Sequence, residues 1–214
     1  DALGSVLPGG VINVLEVAWH YNPDTGVADE FVIQSGFEKV GLYARKNSPG
    51  FRGLSGMAHI QSDQFLIDLS STDFSLEASN LFPHPLVLDT LSAQVAGTRL
   101  EGAWDVQVRR GAFGNKDIKG SLVADLKNSY SKDSHLDLTV KVDEVDHQRV
   151  PFYFPARLSK LGVWVTDKVH SGKMKNVEIN VVGQASRFPF RDGGGSIEFS
   201  GKIENGRLEV GGGW

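Results

Sequence analysis

Along most of this chain, apolar and polar residues alternate with the two-residue period of a β-strand. Leu136, Leu138, Val140 and Val142 are separated by Asp137, Thr139, Lys141 and Asp143. Val177, Ile179 and Val181 enclose Glu178 and Asn180, and Ile197, Phe199 and Ile203 are interleaved with Glu198, Ser200, Lys202 and Glu204. Trp104, Val106 and Val108 alternate with Asp105, Gln107 and Arg109. The same rhythm governs Phe65, Ile67 and Leu69, then Phe74 and Leu76, and also Phe31, Ile33 and Phe37. Weaker runs cover 11–19, 54–61, 91–96, 118–126 and 207–210. Successive strand side chains point to opposite faces, so each run has one apolar and one polar face. The pattern predicts roughly a dozen short strands in a mainly antiparallel meander.

Turn chemistry separates these runs. Asn205-Gly206 between two alternating runs predicts a tight hairpin. Asn22-Pro23-Asp24-Thr25-Gly26 and Asp192-Gly193-Gly194-Gly195 read as loops. One stretch departs from the strand period: Leu158, Leu161, Val165 and Val169 recur at helical spacing. With Lys168 and His170 near its end and Gly172 placed to close it, 158–169 reads as the one short helix. It follows an aromatic knot, Pro151-Phe152-Tyr153-Phe154-Pro155.

This pattern poses an accounting problem. A dozen one-sided strands create a continuous apolar surface that a single short helix cannot cover. Either the sheet closes on itself as a sandwich or barrel, or a ligand covers it. Periodicity alone favours closure, because sandwiches are common.

Composition narrows the function classes. A net charge of −4 leaves no basic footprint for nucleic acid. The absence of cysteine removes disulfides, thiolate zinc sites and thiol nucleophiles. No run approaches the ~20 apolar residues of a membrane helix. Asp1-Ala2-Leu3-Gly4 does not resemble a secretory leader, and both ends look cut from a longer chain, so residues 1–214 read as a single segment of it.

Catalytic chemistry is sparse. His20, His59, His84, His135, His147 and His170 are scattered without metal-ligand spacing and read as surface or loop residues, so no metal or cofactor is expected. Gly53-Leu54-Ser55-Gly56 fails as a nucleophile elbow at its last position. Asp133, Asp137, Asp143, Glu144 and Asp146 could supply a glycosidase pair only if two of them met at about 5–10 Å; solvated strand faces account for them as well. Lys173 and Lys175, near Lys168, could meet anionic head groups or simply decorate a charged edge strand.

From Val150 to Phe190 the spacing resembles a known series. Tyr153-Phe154-Pro155, Trp164-Val165, Ser171-Gly172-Lys173, Gly183 and Phe188-Pro189-Phe190 follow the order found in YhdP-type proteins of the AsmA-like superfamily, to which TamB is related. Leu7-Pro8-Gly9-Gly10 with Trp19, Pro49-Gly50 with Leu54-Ser55-Gly56, Leu81-Phe82 with Pro85-Leu86, Leu136-Asp137-Leu138 and Gly213-Trp214 extend the likeness over nearly the whole chain. Val165 stands where leucine is common, and Phe154 where an aliphatic residue is usual.

The resemblance implies an all-β fold, a long curved sheet forming an open, taco-like apolar groove with the short helix near 158–169. It also implies a periplasmic segment of a Gram-negative protein anchored to the inner membrane by a part outside this chain. Such a segment would carry phospholipid toward the outer membrane, without catalysis and with other envelope proteins as further partners. Burying a 16-carbon acyl chain involves about 12 kcal/mol gross, at ~0.8 kcal/mol per CH2. A dozen strands would span roughly 55–60 Å.

The lining expected for acyl chains is Phe65, Ile67, Trp104, Val106, Leu136, Leu138, Val140, Val177, Ile179 and Phe199. Phe152, Tyr153, Phe154, Phe188 and Phe190 are assigned to packing around the helix instead. The alternative is a closed β-sandwich binding module for carbohydrate or protein.

Overall fold

A computed structural model describes residues 9–208, apart from 25, 46, 47, 130, 159–162 and 164–166. Ten strands follow one another: β1 (Gly9–Asn22), β2 (Val27–Leu42), β3 (Gly50–Gln61), β4 (Gln64–Glu77), β5 (Leu86–Leu100), β6 (Ala103–Gly114), β7 (Lys119–Ser129), β8 (His135–Asp146), β9 (Val169–Gln184) and β10 (Gly195–Leu208). They form one sheet in the order β1 to β10, every neighbouring pair antiparallel. The two edges do not pair with each other, so the sheet is open, and among the described residues there is no second sheet to make a sandwich. The apolar face is therefore not covered by sheet closure.

The strands are fewer and longer than the alternation suggests, at 11 to 16 residues each. Nine inter-strand spacings give a span of about 43 Å, shorter than a dozen strands would reach. The two runs around Phe65 and Phe74 belong to one strand, β4. Between them Asp73 adopts φ 57° and the inward parity resets from odd to even, with the register against β3 shifting there while the pairing with β5 runs unbroken.

The same device recurs. Lys39 (φ 51°) in β2, Gly53 (φ 78°) in β3, Arg110 (φ 49°) in β6 and Asn176 (φ 49°) in β9 each stand where the pairing register shifts or the inward parity changes. Arg110 is extra relative to both neighbours, between Ser92 and Gln94 of β5 and between Leu122 and Ala124 of β7. Each bulge bends its strand and increases the local twist, curling the sheet about its apolar side. Across β2, β3 and β4 the bulges touch, and serines satisfy the backbone groups they free. The Lys39 N–H donates to Ser55 Oγ (2.9 Å), the Ser55 N–H to Ser71 Oγ (2.9 Å), and the Ser71 hydroxyl to the Ser55 carbonyl (3.3 Å).

Asn205-Gly206 is not a hairpin turn. It lies inside β10, where Asn205 takes φ 53° and the register against β9 slips. A pair that tolerates left-handed backbone serves a bulge as readily as a turn. The expected helix at 158–169 falls largely outside the described residues. Within them, Val163, Asp167 and Lys168 are helical as expected, a one-turn helix α1 (Val150–Tyr153) comes earlier, a 3-10 turn covers Ala156–Leu158, and Val169 already opens β9. Pro151 at the start of α1 suits a helix's first turn, where its missing N–H costs nothing.

The core is small and lies where this β8–β9 connector rests on the sheet. Ile118, Val145, Val150, Phe154, Val169, Met174 and Val177 are buried together, with Phe113, Val142, Tyr153, Ile179 and Phe199 around them. Val169, 1% exposed, is the deepest. The chain exposes 13773 Å² in all, against about 9,700 Å² for a compact chain of 23.3 kDa. The fold leaves apolar surface uncovered.

Candidate functional site

Register determines which side chains share the inner face. Phe65 of β4 stands opposite Gly97, which stands opposite Val106; Val106 faces Leu126, and Leu126 faces Leu136. One step along the strands, Ile67, Val95, Val108, Ala124, Leu138, Val181 and Ile197 form the next transverse row. Val140 pairs with Ile179 and Ile179 with Phe199, while Val142 pairs with Val177. Trp104 lies two residues from Val106 on the same side. All ten residues expected to line a groove thus share one face.

They do not all meet in one place. A cavity of about 720 Å³ on that face gathers Leu136, Leu138, Val140, Val177, Ile179 and Phe199. Phe65, Ile67, Trp104 and Val106 stand outside it, farther toward β1. There the Phe65 ring lies across Gly97 and packs on Trp104 at 5.3 Å between centroids.

The expected lining omits much of the wall, although alternation marks Phe74 and Leu76 and a weaker run covers Leu122. Phe74, Leu76, Leu88, Phe113, Leu122 and Met174 also line the cavity. Phe113 and Met174 were concealed by the parity resets beside Arg110 and Asn176; a left-handed-tolerant residue interrupting an alternating run is the signal that could have found them. Tyr153, Phe154 and Phe188 line the cavity as well, while Phe154 is buried in the core beside it and Tyr153 packs against that core. Phe190 is buried over Gly183 and Gly195, and Phe152 is exposed beside the His84 ring at 5.5 Å.

The connector straps the mouth of this cavity. The Ala156 N–H donates to the Leu81 carbonyl in the β4–β5 loop (2.6 Å), and Arg157 Nη1 donates to the Phe188 carbonyl in the β9–β10 loop (2.7 Å). Tyr153 anchors its base, donating its hydroxyl to Asp117 Oδ2 (3.1 Å) and accepting from Asn115 Nδ2 (3.1 Å). Burial holds the Tyr153 phenol above its ordinary pKa.

The opposite face is polar and cross-linked. Thr139 Oγ1 donates to Asn180 Oδ1 (2.8 Å), and Gln107 Nε2 to Asp125 Oδ1 (2.6 Å). Lys141 pairs with Glu178 at 3.3 Å. At one end of β8 to β10, Lys175 reaches Glu204 (2.8 Å) and Glu144 (3.7 Å), Lys202 reaches Glu204 (3.0 Å), and Lys173 bonds Glu144. The hydrogen bond from Lys175, then that from Lys202, hold the Glu204 carboxyl at about 2. Lys173 and Lys175 are therefore engaged by carboxylates rather than held open for an anionic ligand.

His20, His84, His135 and His170 are exposed, as expected of surface or loop residues, and His59 is half-buried; His147 departs from that expectation, buried with Nδ1 3.1 Å from the Gly172 carbonyl. Among the described residues no group of three His, Asp or Glu is arranged to hold a metal, and no helix is long and apolar enough to cross a membrane.

A trough of one open sheet, apolar within and polar without, is the architecture that the resemblance implies, and a family model bears on it directly. The model described as YhdP protein matches residues 1–214. The chain belongs to the YhdP family. No curated protein and no solved structure matches it. YhdP proteins form a family of bacterial envelope lipid-transport proteins, and the open ten-stranded sheet fits that work.

Proposed function

We propose that this YhdP-family chain carries phospholipid, with acyl chains against its concave face and head groups toward solvent. The observation that carries this reading is the cavity. Of its thirty lining residues only Asn80, Tyr153 and Arg157 have polar side chains, and among the described residues no second sheet covers the face on which it lies. A wall without fixed polar contacts holds hydrocarbon by its area alone, so chains slide along it. At about 43 Å the sheet is one segment of a longer trough, in the periplasm and anchored to the inner membrane through a part outside this chain. The lining comprises Leu136, Leu138, Val140, Val177, Ile179 and Phe199 in the cavity, continued by Phe65, Ile67, Trp104 and Val106. The function requires no catalysis and no cofactor.

Parity supplies the test. A photo-crosslinker at Leu138 or Ile179 should yield lipid adducts, and one at Thr139 or Asn180 on the hydrogen-bonded outer face should not. Leu138→Asp places a charge against hydrocarbon at a cost of several kcal/mol. It should abolish adducts at Ile179 while the chain stays folded, because an empty open trough hydrates the carboxylate. Equal labelling on both parities, or unfolding of the variant, would refute the reading.

A further inference from the structure

Arg157 is the one ionic side chain lining the cavity, and its surroundings are unusual for a guanidinium. It is exposed and, among the described residues, makes one hydrogen bond, from Nη1 to the Phe188 carbonyl. No carboxylate pairs with it among the described residues, although Lys141, Lys173, Lys175 and Lys202 are all matched by glutamates. Of a guanidinium's five N–H donors, four have no protein acceptor among the described residues. The backbone at both ends of the strap places it at the mouth: Ala156 is tied to Leu81 on one bank, and Arg157 itself reaches Phe188 on the other. Leu158 and Pro155, its near neighbours in sequence, point into the same apolar lining.

We propose that Arg157 is a head-group site, binding the phosphodiester of a glycerophospholipid whose acyl chain occupies the cavity beneath. This rests on the lipid-carrying reading above and adds the class of head group that the site selects. A guanidinium binds phosphate oxygens through paired N–H donors, and it does so best where apolar walls exclude competing water. The carbonyl of Phe188 keeps the side chain over the opening while leaving its remaining donors available. The contact registers the lipid, halting a chain that would otherwise slide freely past a uniform wall.

The experiment titrates fluorescent phosphatidylglycerol, and the uncharged diacylglycerol with the same chains, into the wild-type chain, Arg157→Gln and Arg157→Lys. Arg157→Gln should weaken phosphatidylglycerol binding about tenfold, the effect of one charged hydrogen bond, and leave diacylglycerol unchanged. Arg157→Lys, which keeps the charge and loses the planar fork, should fall between them. Raising the salt should weaken phosphatidylglycerol binding to the wild type more than to Arg157→Gln. Equal affinity of wild type and Arg157→Gln for phosphatidylglycerol would overturn the proposal. So would an equal loss on both probes, which would make Arg157 a packing residue while leaving the lipid trough standing. A wild-type chain that takes up neither probe would overturn the trough reading, and the head-group site with it.

Discussion

Glu204 sits between two ammonium groups, and that placement ties the outer face to pH. Lys175 and Lys202 hold its carboxyl at about 2, below the 4.5 of an unperturbed glutamate. A carboxyl whose folded pKa is depressed stabilises the fold above its unfolded pKa, and the contribution fades as pH falls toward the folded value. Glu144, lowered chiefly by its hydrogen bond from Lys173, and Glu178, lowered first by Asn180 and then by Lys141, act in the same direction. Thermal melts of the wild type and Glu204→Gln should therefore differ most above about pH 5 and converge toward pH 2. Because these groups are exposed, molar salt should shrink the difference at every pH. A gap that widens on acidification would contradict the assignment. Residues of this kind were only half legible: the alternation places Glu178 and Lys141 outward, but only register shows that they are partners. Gly97 was not legible at all, since nothing local reveals that Phe65, 32 positions earlier in the chain, lies across it.

Strands were the most legible elements, and their breaks the least. Residues 136–142 and 177–181 read directly because no extra residue interrupts them, and β8 and β9 pair there without a register shift. β4 read as two strands because a parity reset within a strand and a short turn leave the same trace: a change of inward parity beside a residue that tolerates positive φ. Only pairing across β3 and β5 distinguishes them. Asn205-Gly206 misled in the same way. The serine chain beneath the bulges carries an element-scale prediction. Ser71, 4% exposed, accepts from the Ser55 N–H and donates to the Ser55 carbonyl. Ser71→Ala leaves the half-buried Ser55 amide without its acceptor and should cost about 1–3 kcal/mol in chemical denaturation. Ser70→Ala, on the exposed side of the same strand, should change stability by less than about 0.5 kcal/mol. Similar losses for the two would mean the bulges need no side-chain support.

At the scale of the molecule, the open sheet with its single small core separates this fold from a closed domain. A protein that exposes a continuous apolar face binds something or associates with itself. Extracting the chain with detergent-free organic solvent should release lipid, and the stripped protein should bind an apolar dye or oligomerise; refilling with phospholipid should reverse both. A stripped chain that stays monomeric and dark to dye would count against an uncovered face. Openness itself was not legible from alternation, which closure would satisfy equally well. Order in the sheet decided it, because β1 and β10 lie nine spacings apart and never meet.

Arg110 separates shape from lining. It is the extra residue in both ladders of β6, so removing it brings Gly111 opposite Leu122 and Ala112 opposite Ser92 by an unbroken count from Arg109. Trp104, Val106, Val108 and Phe113 would keep the sides they now face, because the odd residue is the one withdrawn. A one-residue deletion elsewhere in a strand turns every later side chain over; here it would relax a crease. The deletion variant should therefore fold, show the same crosslinking parity along β6, and scatter X-rays as a broader, flatter body. If lipid retention falls while the parity holds, cross-sectional shape contributes to the grip on lipid independently of the side chains along the wall.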